Sequence, residues 1–260
     1  MRRSREEAIY KILVEGTREH AKRYGFKRAV IGLSGGIDSS LVACIAHDAL
    51  GKADVIGVSM PSKYSTAHSK EDAHALAKSL GIRFVVHPIE PIVELNRRMY
   101  KKLFGSYRDK ATDQLIQSWE RSKILMEMAS EHEAFVMLPG NKSDFAIGHH
   151  RDIIGGLAAL AEVTKTEVYR LAKHRNALRR VIPERVFHKH PSDELAPGQK
   201  DSDELPPFHI LDSILLLHKK RKDIKLIVAE GHDRKVVKRV VEMIRRNEPK
   251  ASRLSIRGKR

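Results

Sequence analysis

The run Ala29-Val30-Ile31-Gly32-Leu33-Ser34-Gly35-Gly36-Ile37-Asp38-Ser39-Ser40 determines how the rest of this chain is interpreted. Its apolar part, ending at Leu33, predicts a buried strand, and the apolar residues of 41–50 recur at helical spacing. The two adjacent glycines let the intervening turn approach a ligand closely. The backbone N–H groups and the dipole of the following helix then face an anion. A strand, a Ser-Gly-Gly turn and a helix in this order predict a phosphate-binding loop.

Asp38 places a carboxylate in the first turn of that helix, beside the predicted phosphate site. A carboxylate repels phosphate unless a cation lies between them, so the sequence predicts a bound Mg²⁺ with few protein ligands. The loop does not end in Gly-Lys-Ser/Thr, which argues against a Walker A kinase or GTPase. A glycine turn followed by a serine helix cap, with no ligand, is the alternative interpretation.

Length and composition favour one domain, residues 1–260, because 41% hydrophobic residues are enough for a sizeable core. No stretch approaches the roughly 20 consecutive apolar residues of a membrane span, and the N-terminal segment has no apolar signal core. We therefore predict a cytoplasmic protein without membrane contact. Cys44 is the only cysteine, which excludes an intrachain disulfide and a cysteine-based zinc or iron–sulfur site.

The formal net charge of +16 fits a polyanionic ligand, but charged residues make up 32% of the chain and acids are interspersed almost everywhere. Only the tail from about residue 250 is one-sidedly basic. A solvated chain end explains such a tail at least as well as contact with nucleic acid does. Nucleic-acid binding is therefore an alternative that we do not favour.

Predicted strands alternate with predicted helices along the chain. The strands are 29–33, 55–60, 82–86 and 134–138, and the helices are 6–24, 41–50, 69–80, 91–104, 115–129, 165–173, 208–218 and 235–244. This alternation predicts an α/β fold with a doubly wound parallel sheet and helices on both faces. Ligands of such sheets bind at the carboxyl ends of the strands, where three polar turns begin: 34–36, 60–62 and 139–144. The Pro-, Asp- and Ser-rich segment 188–207 predicts a long loop of the kind that commonly forms a lid.

Three further stretches accompany the opening loop: Gly140-Asn141-Lys142-Ser143-Asp144, Val163-Thr164-Lys165-Thr166-Glu167-Val168 and Pro191-Ser192-Asp193-Glu194-Leu195-Ala196-Pro197-Gly198-Gln199-Lys200-Asp201. Together, over about residues 6–217, they resemble the ammonia-dependent NAD⁺ synthetases of the ATP pyrophosphatase superfamily. The resemblance implies an adenine nucleotide alpha hydrolase-like fold and a homodimer. It also implies that ATP adenylylates the nicotinate carboxylate of deamido-NAD⁺, releasing pyrophosphate, before ammonia displaces AMP.

The resemblance also implies roles for individual residues. The implied ATP site consists of Gly32, Leu33, Ser34, Gly35, Gly36, Ile37, Asp38, Ser39, Pro139, Lys165 and Ser192. Asp38 and Lys165 would be catalytic, Asp38 and Asp144 would bind Mg²⁺, and Arg121 would contact deamido-NAD⁺. Ser59 and Ser62 match the family's adenosine pocket, although a plain turn explains them almost as well. Asn141 and Lys142 either shape their turn or touch a ligand.

Several positions depart from the family pattern, mainly on the acceptor side. Pro139 replaces a threonine, Asp144 a glutamate and Trp119 the first arginine of an Ala-Arg-x-Arg run. We expect Trp119 to be a packed aromatic side chain and not a stacking platform. Residues 149–152 read His-His-Arg-Asp in place of Tyr-Phe-Thr-Lys, and the basic pair 245–246 is the nearest substitute for a His-Lys pair.

These departures leave two other functions open. One is an ATP pyrophosphatase that adenylylates another acceptor, such as tRNA, and the other is a non-catalytic nucleotide- or RNA-binding protein on the same fold. The single cysteine argues against thiolation by a catalytic cysteine, and neither the length nor the cysteine count accommodates an amidohydrolase domain like that of the glutamine-dependent relatives. We therefore expect ammonia to arrive free or from a partner chain.

Overall fold

A computed structural model of the protein describes residues 4–105, 110–148, 156–199, 205–220 and 223–252. Within these residues, one sheet of four parallel strands forms the centre of the fold. The strands are β1 (Arg28–Gly32), β2 (Val55–Ser59), β3 (Arg83–Val86) and β4 (Ala134–Met137), in the order β3-β2-β1-β4. The predicted α/β fold with a parallel sheet is thus confirmed.

The described part of the chain contains eleven α-helices, which pack against the sheet or against one another. They are α1 (Arg5–Tyr24), α2 (Ile37–Leu50), α3 (Ala67–Leu80), α4 (Glu90–Phe104), α5 (Lys110–Glu131), α6 (Lys142–Ile147), α7 (Lys165–Leu178), α8 (Glu184–His188), α9 (Phe208–Lys219), α10 (Ile224–Ala229) and α11 (Arg234–Ser252). The sequence did not predict α6, α8 and α10, because five or six residues do not span two helical turns and show no apolar period.

The sheet is covered on both faces, as its continuous apolar strands require. Successive side chains of β1 point to opposite faces, so Ile31 packs with α1, α2, α3 and α7 in one buried cluster. Its neighbour Val30 packs with α4 and α5 in a second cluster. A third buried cluster joins α6, α9, α10 and α11. None of the helices in the described residues combines the length and apolar character needed to cross a bilayer.

The order of the strands reverses beside β1, since β2 and β3 lie on one side of it and β4 on the other. The register pairs Ile31 of β1 with Met137 of β4. The loops that follow these two strands therefore begin side by side, at the switch point where parallel sheets bind ligands. The single domain stays a prediction, and the tail residues 253–260 lie outside the described part of the chain.

Candidate active site

The loop after β1 is held tightly against α3. Gly35 has a φ of +75°, and a Cβ at this position would overlap the carbonyl oxygen of Ser69 in the first turns of α3. Glycine is therefore required both by the left-handed backbone and by the contact. Leu33 N donates to Val58 O at 2.8 Å, which continues the sheet pairing up to the start of the turn. The loop is thus fixed from both sides before α2 begins.

Serine hydroxyl groups close the turn from within. Ser39 Oγ donates to Gly36 O at 3.1 Å and accepts from Ser34 N at 3.3 Å. Gly36 is the N-cap of α2, and no side chain of the described residues caps this helix. The N–H groups of the first turn of α2 are therefore available to an anion, as the phosphate-binding prediction requires.

Three segments that are far apart in sequence meet at Asp38. Lys165 Nζ lies 2.5 Å from Asp38 Oδ2, and Asn141 Nδ2 donates to Asp38 Oδ1 at 2.9 Å. Lys165 is only 4% exposed, and Asn141 is fully buried. The structure thus brings together the first turn of α2, the loop after β4 and the first residue of α7. Two of the predicted site residues, Asp38 and Lys165, form an ion pair in which the lysine is buried and the aspartate is partly buried.

Asn141 also shapes its own turn. Its Oδ1 accepts from the backbone N–H groups of Ser143 and Asp144 at 2.9 and 3.1 Å, and Asp144 Oδ2 accepts from Asn141 N at 3.3 Å. This reciprocal arrangement is a capping box on α6. Of the two roles considered for Asn141, the structure shows that it shapes its own turn. Asn141 also donates a hydrogen bond directly to Asp38.

The electrostatics of Lys165 follow from its surroundings. Burial lowers the pKa of its ammonium group, but the carboxylates of Asp38 and Asp144 outweigh that effect and raise the pKa above its ordinary value. The Nζ atom also lies 5.2 Å from the ring centroid of Phe208 on α9, within the range of a cation–π interaction. Lys165 is therefore positively charged at neutral pH, in a site with two carboxylates.

The two carboxylates fit a magnesium ion that is shared with a nucleotide. Mg²⁺ prefers oxygen ligands, keeps several waters and is commonly held by one or two carboxylates together with phosphate oxygens. Asp38 and Asp144 supply such a donor set, and both act electrostatically on the same ammonium group. Among the described residues there is no group of three or more side chains that could hold a metal ion by themselves. The donor chemistry is that expected of a metal bound together with ATP.

The loop that precedes residue 200 is fastened to α3. Glu194, with a φ of +49°, accepts hydrogen bonds from Thr66 N, Thr66 Oγ1 and Ser69 Oγ at 3.1, 2.9 and 2.6 Å. Burial raises the pKa of Glu194, but hydrogen bonds from Ser69 and Thr66 and the charge of Lys189 bring it below its ordinary value. Because Ser69 also touches Gly35, this loop is connected to the phosphate-binding turn through α3. Sequence reasoning did not identify Glu194.

Ser192 lies within the same loop and is engaged locally. Its Oγ donates to Gln199 O at 2.6 Å and accepts from Glu194 N at 3.1 Å. The structure therefore assigns Ser192 a role in loop geometry, and its contact with ATP stays a prediction. Ser62 is likewise part of a turn, since its Oγ accepts from Tyr64 N at 3.3 Å.

Arg121 lies at the carboxyl end of β2, where its Nε donates to Met60 O at 3.1 Å. Burial lowers the pKa of its guanidinium group to about 10, against the opposing effect of Asp193 and Glu194, so the group is charged at neutral pH. No carboxylate of the described residues lies within ion-pair distance of it. Trp119, on the same helix, is 48% exposed, so the expectation of a packed aromatic side chain was wrong.

Further predicted positions lie elsewhere. Pro139 follows β4 in the turn that leads to Asn141, and Arg246 forms an ion pair with Glu242 on the exposed side of α11. The altered residues 149–152 lie outside the described part of the chain. Sequence reasoning also missed Asp212 of α9, which is bonded to Ser143 and Thr166. Its signal was a single acid within the run 210–217, which is apolar apart from Asp212 and Ser213.

This chain is similar to known proteins over nearly all of its length. The glutamine-dependent NAD(+) synthetase of Thermotoga maritima is 42% identical over 258 residues, which cover 97% of this chain and 45% of the relative. The solved glutamine-dependent NAD+ synthetase of Acinetobacter baumannii in complex with adenosine diphosphate superposes with a TM-score of 0.71 at 35% identity. That superposition covers all of this chain and 48% of the other. The chain thus spans about half the length of these two proteins.

An NMN synthetase from Francisella tularensis has the same fold, with a TM-score of 0.82 at 22% identity over 95% of this chain and 96% of its own. The family model described as NAD synthase matches residues 9–253. This match, and the relative that is more than 40% identical, cover nearly all of the chain and both loops that meet at Asp38. The chain belongs to the NAD synthase family.

Proposed function

We propose that this chain catalyses the ATP- and Mg²⁺-dependent amidation of deamido-NAD⁺ with ammonia, giving NAD⁺, AMP and pyrophosphate by way of an adenylylated intermediate. The observation that carries the proposal is the meeting of Asp38, Asn141 and Lys165 at the switch point of the sheet. The relatives are named as NAD⁺ synthetases, and the Acinetobacter baumannii structure holds ADP, which supports the use of ATP.

ATP would bind along the loop 32–39, with its phosphates at the uncapped first turn of α2. Bound Mg²⁺, held by Asp38 and Asp144, would neutralise phosphate charge. Lys165 stays protonated because its pKa is raised, so its ammonium group stabilises negative charge on the phosphates and does not act as a base. Pro139 and Ser192 complete the proposed ATP site.

The two chemical steps need positioning and charge neutralisation more than a nucleophilic side chain. In the first step the nicotinate carboxylate oxygen bonds to the α-phosphorus of ATP, and pyrophosphate leaves. In the second step ammonia attacks the acyl carbon, and AMP leaves with the electrons of the broken C–O bond. Arg121 is proposed to bind deamido-NAD⁺, because it is a half-buried cation that forms no ion pair with a carboxylate of the described residues.

The ammonia source is also part of the proposal. The curated relatives are named as glutamine-dependent, and this chain matches less than half of their length. We assign to it the ammonia-using step, supplied with free ammonia or with ammonia from a partner chain. A cytoplasmic location stays a prediction.

A homodimer is proposed through the outer face of α4. Leu95, Met99 and Leu103 recur every four residues on this face and are exposed, Leu103 by 68%. Phe104 extends this stripe. A contiguous apolar stripe on a charged protein is typical of an interface, and a second copy is the occupant that the family resemblance implies. Because α4 packs on α5, the interface would lie near Arg121.

One assay tests the function. Purified protein is incubated with deamido-NAD⁺, ATP, Mg²⁺ and either ammonium or glutamine, and both pyrophosphate and NAD⁺ are measured. We expect both products with ammonium. Absence of both from well-folded protein would contradict the proposal. Pyrophosphate that forms only with tRNA would support another acceptor, and salt-sensitive RNA binding without turnover would support a non-catalytic role.

A further inference from the structure

Asp212 on α9 is a buried carboxylate outside the predicted site. It is 3% exposed. Its Oδ1 accepts from Ser143 Oγ at 2.5 Å, and its Oδ2 accepts from Thr166 N at 2.8 Å and from Thr166 Oγ1 at 2.6 Å. Both carboxylate oxygens are therefore used, and each is bonded to a different helix.

The partners of Asp212 are the immediate neighbours of predicted site residues. Ser143 precedes Asp144 in the first turn of α6, and Thr166 follows Lys165 in the first turn of α7. Ser143 Oγ also accepts from Lys165 N at 3.0 Å, so the two helix starts are joined directly as well. One carboxylate thus connects Ser143, the neighbour of Asp144, with Thr166, the neighbour of Lys165.

The burial of Asp212 has a free-energy cost that the burial of an apolar side chain does not have. A buried carboxylate costs free energy unless it is hydrogen-bonded or paired. No cation among the described side chains forms an ion pair with it, so its charge is compensated by hydroxyl groups and by the positive end of the dipole of α7. Its neighbours Leu211, Ile214 and Leu215 are buried and apolar, so an apolar residue would suit this face of α9 at no desolvation cost.

We propose that Asp212 is a positioning residue, which fixes the first turns of α6 and α7 so that Asp144 and Lys165 face Asp38. The expected effect of Asp212 on turnover rests on the proposed function. Lys165 reaches Asp38 from the first residue of α7, so a shift of that turn moves its ammonium group directly. A misplacement of about 1 Å in an active site can reduce turnover on the order of 100-fold.

The kinetic test compares Asp212→Asn with Asp48→Asn. Asp48 is the matched control, because its carboxylate holds the other end of α7 through Arg175, at 2.7 and 3.0 Å. At a temperature where circular dichroism shows both variants folded, we expect Asp212→Asn to lower kcat about tenfold or more, with a change in KM for deamido-NAD⁺ of less than about threefold. Asp48→Asn should lower Tm but keep kcat within about twofold. Equal losses of kcat in the two variants, or wild-type kcat in Asp212→Asn, would overturn the proposal.

Ser143→Ala provides a second variant, which removes a hydroxyl group and leaves the carboxylate of Asp212 in place. It breaks the bond to Asp212 and the bond from Lys165 N, so kcat should fall in this variant also. The double variant should lose less than the product of the two single losses, because both changes break one network. Should Asp212→Asn fail to fold, wild-type kcat in Ser143→Ala would itself contradict the proposal.

Crystal structures of the wild type and of Asp212→Asn separate this proposal from the proposed function. We expect the distance between Lys165 Nζ and Asp38 Oδ2 to increase by about 1 Å or more in the variant, the scale of misplacement that impairs turnover. An unchanged distance overturns the positioning role, whether or not the wild-type protein forms product. A wild-type protein that forms no product, with a lengthened distance in the variant, contradicts only the proposed function.

Discussion

Side chains from two distant segments meet at Asp38, because its carboxylate is bonded to both Asn141 and Lys165. Asp38→Asn keeps the shape of the side chain but removes the charge that pairs with Lys165 and would hold Mg²⁺. We expect the fold to persist and pyrophosphate release to fall by about 100-fold or more, the scale found when a group stabilising transition-state charge is removed. The measurement is initial rate at saturating ATP, with circular dichroism as the check on folding.

The control for this variant is Asp54→Asn, since this partly exposed acid forms one ion pair among the described residues, to Arg28 at 3.7 Å. Its rate should equal that of the wild type. A wild-type rate in Asp38→Asn would mean that the Ser-Gly-Gly loop is structural and that its acid takes no part in the reaction.

At the residue scale, the sequence identified Asp38 and Lys165 but not how they are held. Their ion pair joins positions 127 residues apart, and the bond from Asn141 to Asp38 spans 103 residues. Such contacts depend on the packing of α7 against α2 and of α6 against α7, which no local pattern encodes. The roles of Glu194 and Asp212 were missed for the same reason, because both act through hydrogen bonds to distant helices.

Among the elements, the loop that contains Glu194 has a pH dependence that can be measured. The pKa of Glu194 is lowered in the folded protein, so its contribution to stability is present above the unfolded pKa of about 4.3 and is lost as the pH falls through the lower folded value. We expect Glu194→Gln to be less stable than the wild type at pH 7, and this difference to shrink below about pH 4.

Urea unfolding at a series of pH values measures that difference. Glu94→Gln is the control, because Glu94 is an exposed acid whose one side-chain partner among the described residues is Arg97, at 3.3 Å. A difference between wild type and Glu194→Gln that stays constant from pH 7 to pH 3 would show that the carboxylate charge does not anchor the loop.

The second prediction for an individual element concerns the dimer interface proposed on α4. Met99→Lys places a charge in the middle of the exposed apolar stripe, so we expect the wild type to sediment as a dimer and the variant as a monomer at micromolar concentration. Lys101→Glu is the control, since residue 101 lies on the opposite side of the helix and should leave the dimer intact. A monomeric wild type, or a dimeric Met99→Lys, would contradict an interface on α4.

The long elements were predictable because their apolar periods extend over several turns, as in α1 and α3. Strands β1, β2 and β4 were identified for a related reason: they are buried on both faces, so each appears as a short continuous apolar run. Strand β3 lies at the edge of the sheet and is only partly buried. The ends of helices were less well defined, since α5 begins five residues before its predicted start. Polar residues dominate that first turn and show no apolar face.

At the scale of the whole molecule, the order β3-β2-β1-β4 makes one site from loops that are distant in sequence. Alternation of strands and helices predicted a parallel sheet, but the side of β1 on which β4 pairs is decided by packing. Because β4 lies directly beside β1, the loops after these strands form the two walls of the Asp38 site. The proposed nucleotide would therefore contact several layers of the folded protein at once.

Ligand linkage tests that arrangement in the intact protein. A ligand that binds only the folded state stabilises it by about 2.7 kcal/mol at a concentration 100 times its Kd, so ATP should raise Tm in a concentration-dependent manner. The increase should be larger with Mg²⁺ than with EDTA, because Asp38 and Asp144 repel metal-free phosphates. In Asp38→Asn the difference between Mg²⁺ and EDTA should shrink, while some stabilisation by ATP remains through the N–H groups of α2. Equal stabilisation by ATP with Mg²⁺ and with EDTA in the wild type would contradict a metal held between these carboxylates and the phosphates.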